Sequence, residues 1–100
     1  MGASMTYTFI ARMKVFPEKE KQFIYACNKM ELAVKKKEPD TILYKFYKLR
    51  EPFSYAVIES FKNEAGDKAH QNSDHFKEIV NDMIECIDGE YIREYLDPLE

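Results

Sequence analysis

Three prolines, Pro17, Pro39 and Pro52, cut this chain into stretches with different hydrophobic periods, and that punctuation limits the folds open to it. Proline lacks an N–H and fixes φ, so it is excluded from helix interiors and from central strands. Before Pro17, the stretch Thr6 to Val15 places Tyr7, Phe9, Ala11, Met13 and Val15 on one face, with Thr8, Arg12 and Lys14 on the other. That is the period of a half-buried strand. Ile10 breaks the pattern, so the second face is not fully solvated.

Pro17 suits the first turn of a helix, where its missing N–H has no partner to lose. Phe23, Cys27, Met30 and Val34, flanked by Ala26 and Ala33, then form a helical stripe that Pro39 ends. Glu18 and Glu20 near its start and Lys35, Lys36 and Lys37 near its end complement the helix dipole. Thr41 to Leu49 reads as a second strand with apolar bulk on both faces: Ile42, Tyr44 and Phe46 against Leu43, Tyr47 and Leu49. One face is expected to meet the helices of its own chain and the other a partner chain.

Arg50, Glu51 and Pro52 supply a turn, and Phe53 to Phe61 follows as a third strand with Phe53, Tyr55, Val57, Glu59 and Phe61 on one face. Glu59 among aromatic neighbours must reach water, pair with a cation or have a raised pKa. Asn63 is an N-cap for a second helix, whose apolar stripe is read as Ala65, Ala69, Phe76, Val80, Met83 and Ile87, widened by Ile79 and Ile84. The small Ala65 and Ala69 are expected to let this helix approach the sheet. The polar run Gln71 to Asp74 predicts a kink or a second helix start capped by Asn72 or Ser73. Asp88 and Gly89 stop the helix, and Glu90 to Leu96 forms a last short strand.

The order β-α-β-β-α-β predicts an α+β, ferredoxin-like subunit: a four-stranded antiparallel sheet with two helices on one face. A chain of 100 residues, 45% hydrophobic, suffices for one core, read as a single domain over residues 6–96. The sheet's apolar second face calls for a cover, which a symmetric homodimer through that face supplies.

Charge and targeting signals narrow the function. The 15 basic and 18 acidic residues are interspersed, so no basic field exists to bind nucleic acid. No apolar run reaches membrane-spanning length and no signal-peptide core follows the N-terminus, which predicts a cytoplasmic protein without membrane partners. Cys27 and Cys86 lack disulfide-framework or metal spacing and read as buried small hydrophobes. Residues 1–5 are read as a flexible N-terminal extension, with Met5 able to serve as the native start. Met1 to Thr6 also fits the loose acylation pattern M-G-x-x-x-[ST], without the polybasic second signal that stable anchoring needs.

His70 and His75, the only histidines, are five residues apart. On one straight helix they point to different faces, and the i, i+4 spacing of helical metal pairs is absent, so no metal site is expected. No serine or cysteine sits in a nucleophile elbow, and Gly2, Gly66 and Gly89 are isolated, so no phosphate-cradling loop is present. General acid–base chemistry stays open through His70, as does the plainer role of a partly exposed ring hydrogen-bonded to the strand or to a dimer mate.

Glu59-x-Phe61, then Ala69-His70, then Ser73-x-His75-Phe76 resembles the signature of the antibiotic biosynthesis monooxygenase (ABM) family: a strand ending in E-x-W, followed by A-x-x-A-H and S-x-H-F. The Tyr44-x-Phe46 strand, the Pro52-Phe53 turn and the strand order match as well, extending the similarity from about Thr6 to Leu96. The resemblance implies a dimeric α+β barrel with a cavity between sheet and helices, and oxygenation of quinol-like or polyketide-type aromatics by O2 without metal, flavin or haem. His70 would then be the acid–base or orienting residue and Glu59 its partner. Tyr44, Tyr55, Phe61, His75 and Phe76 would bind a small aromatic substrate. Phe61 stands where the family has tryptophan, and haem-degrading relatives carry a histidine where this chain has Val80, so haem degradation is disfavoured. The alternative is a non-oxygenase small-ligand binding protein or an isomerase, for example of a small phosphorylated sugar, on the same fold.

Overall fold

The computed structural model of the protein describes residues 6–99. The N-terminal extension expected over residues 1–5, and with it most of the acylation pattern, lies outside them. Among the described residues, four strands form one antiparallel sheet: β1 (Tyr7–Lys14), β2 (Leu43–Lys48), β3 (Ser54–Phe61) and β4 (Ile92–Tyr95), in the spatial order β2-β3-β1-β4. A 3₁₀ turn over Pro17–Lys19 leads into α1 (Glu20–Lys37), and the second helical stretch divides into α2 (Glu64–Gln71) and α3 (Asp74–Ile84). This is the ferredoxin-like α+β arrangement, with the helices on one face.

Alternation in β1 sets the inner face, where Phe9, Ala11 and Met13 are buried. They stand opposite Glu59, Val57 and Tyr55 of β3, and β2 adds Tyr44 opposite Glu59 and Phe46 opposite Val57. The α1 stripe of Phe23, Ala26, Cys27, Met30 and Val34 closes over this face and is joined by Ile79 and Met83 of α3. Phe23 meets Tyr55 and Phe46 at ring-centroid distances of 5.1 and 6.1 Å.

Two local expectations change. Phe53 is not in β3 but in the preceding turn, with φ of 57°, because its carbonyl accepts from the Val15 N–H at 2.9 Å and ties the turn to the end of β1. α2 also presents a different face. Ala65 and Ala69 are exposed, and Asp67 and His70 are its buried residues. Burying an alanine methyl gains little, on the order of 0.8 kcal/mol, whereas both polar side chains find charged partners inside. The close approach to the sheet falls at Gly66, where an added Cβ would lie 3.0 Å from the Phe61 Cβ.

Asn63 caps α2, its side chain accepting from the Gly66 N–H at 3.1 Å. Ser73, one of the two expected caps, starts α3 by accepting from the Phe76 N–H at 3.2 Å. The chain therefore changes direction at Asn72 and Ser73, and that break positions the site.

Candidate active site

Glu38 stands just past the end of α1, with φ −127° and ψ 70°, its N–H still bonded to the Val34 carbonyl at 2.8 Å. Its Oε1 accepts from the Thr41 hydroxyl at 2.8 Å. Its Oε2 lies 2.7 Å from His70 Nδ1 on α2 and 2.5 Å from His75 Nε2 on α3. Burial pulls the Glu38 pKa upward, but the hydrogen bonds from His70, His75 and Thr41 outweigh it and hold the carboxyl below its ordinary value. An ionised carboxylate only accepts, so the nitrogens facing it carry hydrogen: Nδ1–H on His70 and Nε2–H on His75.

The expectation that two histidines five apart diverge fails here, because it assumed one continuous helix. The break at Asn72 and Ser73 turns α3 so that both rings converge on one oxygen.

His70 is 2% exposed and ringed by aromatics: Phe76 at 4.9 Å, Tyr44 at 5.0 Å and Phe61 at 5.8 Å between ring centroids. With Nδ1 committed to Glu38, Nε2 has no hydrogen-bond partner among the described residues and faces Glu59 Oε1 at 4.0 Å. Glu59 sits mid-sheet between Phe9 and Tyr44. Desolvation pushes its pKa up to about 8, Asp67 and Glu38 adding to the rise while Arg93 opposes it. Near neutrality Glu59 is therefore mainly a protonated donor.

Asp67 is held from the other side. Arg93 of β4 reaches it with Nη1 to Oδ2 at 2.7 Å and Nη2 to Oδ1 at 3.3 Å, while the guanidinium lies 3.9 Å over the Phe9 ring. This pairing pins α2 to the sheet one turn from His70.

Two spaces lie at this cluster, one lined by Glu59 and the other by His70. A cavity of ≈ 60 Å³ between sheet and α3 is bounded by Tyr44, Val57, Glu59 and Phe76, with the half-exposed Ile84 and Tyr91 at its rim. A separate, broader open cleft of ≈ 400 Å³ is lined by Glu38, His70 and His75, with Lys37 and Lys62 among its other lining residues.

Of the residues singled out in the sequence, the structure brings together His70, Glu59, Tyr44, Phe61, His75 and Phe76. Tyr55 lies apart, four residues back along β3, about 13 Å at 3.3 Å per residue. Its hydroxyl donates to Glu20 Oε2 at 2.6 Å, at the other end of the core. Sequence reasoning missed Glu38, Thr41, Asp67 and Arg93. Glu38 did carry a signal: an acid directly after three lysines at the negative end of a helix dipole opposes the preferred charge order.

Residues 6–82 match the family model described as antibiotic biosynthesis monooxygenase. Among solved structures, a candidate antibiotic biosynthesis monooxygenase from Caulobacter crescentus is 28% identical, with a TM-score of 0.87 and coverage of 97% of this chain and 92% of that one. A conserved protein from Methanosarcina mazei is 31% identical, with a TM-score of 0.82 and coverage of 93% and 92%. A Pseudomonas aeruginosa protein at 19% identity, with a TM-score of 0.83 and all of both chains covered, shares the fold. Among curated proteins, none matches.

Proposed function

This chain belongs to the antibiotic biosynthesis monooxygenase family, and from that premise we propose that it oxygenates an electron-rich, quinol-like or polyketide-type aromatic with O2, using a protein base and no bound cofactor. One observation carries the reading: His70 donates Nδ1–H to Glu38 and leaves Nε2 unpartnered, 4.0 Å from Glu59. In its neutral form that ring offers a lone pair to a substrate hydroxyl. An oxygen about 2.8 Å from both Nε2 and Oε1 subtends roughly 90° between them, a feasible geometry. The hydroxyl gives its proton to His70 while protonated Glu59 donates to the same oxygen as negative charge develops there. The anion then reacts with O2, and Tyr44, Phe61, His75 and Phe76 wall the site.

The cavity of ≈ 60 Å³ beside Glu59 is smaller than the roughly 150 Å³ that holds benzene, so an aromatic substrate must extend past the rim at Ile84 and Tyr91. The same small volume favours a second reading, proton transfer on a small non-aromatic ligand. Lys37 and Lys62 at the open cleft suit a phosphorylated one.

The protein is further inferred to act as a cytoplasmic homodimer. Leu43, Tyr47 and Ile92 are exposed on the sheet face away from the helices, where a second copy would cover them. The two buried free thiols fit a reducing compartment, and among the described residues no helix is long and apolar enough to cross a membrane.

Oxygen uptake across a hydroquinone panel tests the chemistry. Uptake is expected in the wild type and is abolished in His70→Ala while near-UV circular dichroism is retained. Uptake with none of the panel, together with a small phosphorylated ligand that raises Tm, favours the second reading.

A further inference from the structure

Glu38, His70 and His75 each contribute one donor atom to a cluster whose atoms all lie within 4.8 Å of one another. They come from three separate elements: the end of α1, α2 and α3. Two imidazole nitrogens with one carboxylate oxygen form a donor set suited to borderline divalent ions such as Zn²⁺. The observed spacings of 2.7 and 2.5 Å reflect shared protons. Bonds of about 2.0–2.1 Å to a tetrahedral ion separate its donors by roughly 3.3 Å, so each nitrogen–oxygen pair need open by less than about 1 Å, while the two nitrogens, within 4.8 Å of one another, need close by no more than about 1.5 Å.

The surroundings allow that opening. Glu38 lies outside the regular turns of α1, so its carboxylate can move without breaking a helix. His70 and His75 sit on opposite sides of the break at Asn72 and Ser73, so their spacing is not fixed by one helical register. The open cleft of ≈ 400 Å³ borders all three residues and leaves room for water or an anion as a further ligand. Outer partners are already in place, with Thr41 on the second carboxylate oxygen at 2.8 Å and Glu59 facing the other nitrogen of His70 at 4.0 Å.

We propose that Glu38 Oε2, His70 Nδ1 and His75 Nε2 form a binding site for one divalent ion of the Zn²⁺ class, which takes the place of the two shared protons. Neutral rings release no net proton on binding. The His70 proton moves from Nδ1 to Nε2, and the His75 proton from Nε2 to Nδ1. A loaded His70 has no lone pair on Nε2, so metal binding and the base role are alternative states of one ring. The site itself stands on geometry and is read without turnover.

Zn²⁺ and Co²⁺ are titrated into the untagged, metal-free full chain by calorimetry and Co²⁺ visible absorption, and long-range ¹H–¹⁵N spectra of histidine-labelled protein are recorded with and without Zn²⁺. Expected are one ion per chain, Co²⁺ bands of four- or five-coordination, and exchange of tautomer at both rings. Glu38→Gln and His75→Asn should each weaken binding by more than the ~10–100-fold of an outer-partner change. Absence of saturable binding, or both rings keeping their tautomers at saturating Zn²⁺, overturns the site. So does equal affinity in folded His75→Asn; if that variant does not fold, the wild-type tautomer spectra decide.

Discussion

Glu38 Oε2 and His70 Nδ1 are 2.7 Å apart, joining the end of the first helix to a buried ring 32 positions later. The contact fixes which His70 nitrogen carries hydrogen, and so which one can receive a proton. An ionised carboxylate that orients an imidazole in this way is a general arrangement for a positioned base.

Replacing Glu38 with Gln keeps the shape but removes the charge that holds two imidazole N–H groups. Hydrogen bonds to charged groups contribute roughly 1.5–3 kcal/mol each, so Glu38→Gln should destabilise the fold by about 2–4 kcal/mol in urea unfolding. Activity should fall about 10²-fold or more, the scale of a lost acid–base contribution. Unchanged kcat in a folded variant would remove Glu38 from the account.

The raised Glu59 pKa sets the sign of a pH effect. With an ordinary value of 4.5 and a folded value of about 8, the folded state holds a proton that the unfolded state releases. The associated stability is fully present below pH 4.5 and is lost as pH rises to about 8, a change of up to roughly 5 kcal/mol. Glu59→Gln should flatten that part of the profile and be the more stable protein at pH 8. It should also remove a decline in activity above about pH 8, because the amide donates at every pH. A wild-type slope that persists in Glu59→Gln contradicts the assignment.

Tyr55→Phe separates core from site. The change deletes the hydroxyl bond to Glu20, and about 1–3 kcal/mol of stability should go with it. Ligand-induced shifts in Tm should stay as in the wild type. A changed ligand response would return Tyr55 to the binding residues.

Tyr47 tests the proposed dimer. It is exposed on the outer sheet face opposite Ala56, and a carboxylate there is costly to bury without a partner. Tyr47→Glu should shift sedimentation from dimer to monomer with the secondary structure intact. A wild-type chain that sediments as a monomer would discard the dimer directly.

Much of the fold was legible because it is written in local periods. The alternation of Phe9, Ala11 and Met13, the stripe from Phe23 to Val34, and caps such as Asn63 and Ser73 each depend on near neighbours in sequence. Long-range polar pairing was not legible. Asp67 and His70 face inward because Arg93 and Glu38, 26 and 32 positions away, meet them there. Period analysis scores both as polar and turns the alanines inward instead. The convergence of His70 and His75 was hidden for a related reason: the polar run at Gln71 to Asp74 announced a break, but not the direction the chain takes after it.

Proton transfer from a substrate hydroxyl to His70 is tested without oxygen by the ionisation of a bound phenol. An electron-rich hydroquinone is added anaerobically, and absorbance of its anion is followed in wild type and in His70→Gln at matched saturation. An anion band is expected on binding to wild type and is absent in the folded variant. Equal anion absorbance in both proteins, or none in a wild-type complex that turns over when O2 is admitted, would contradict it.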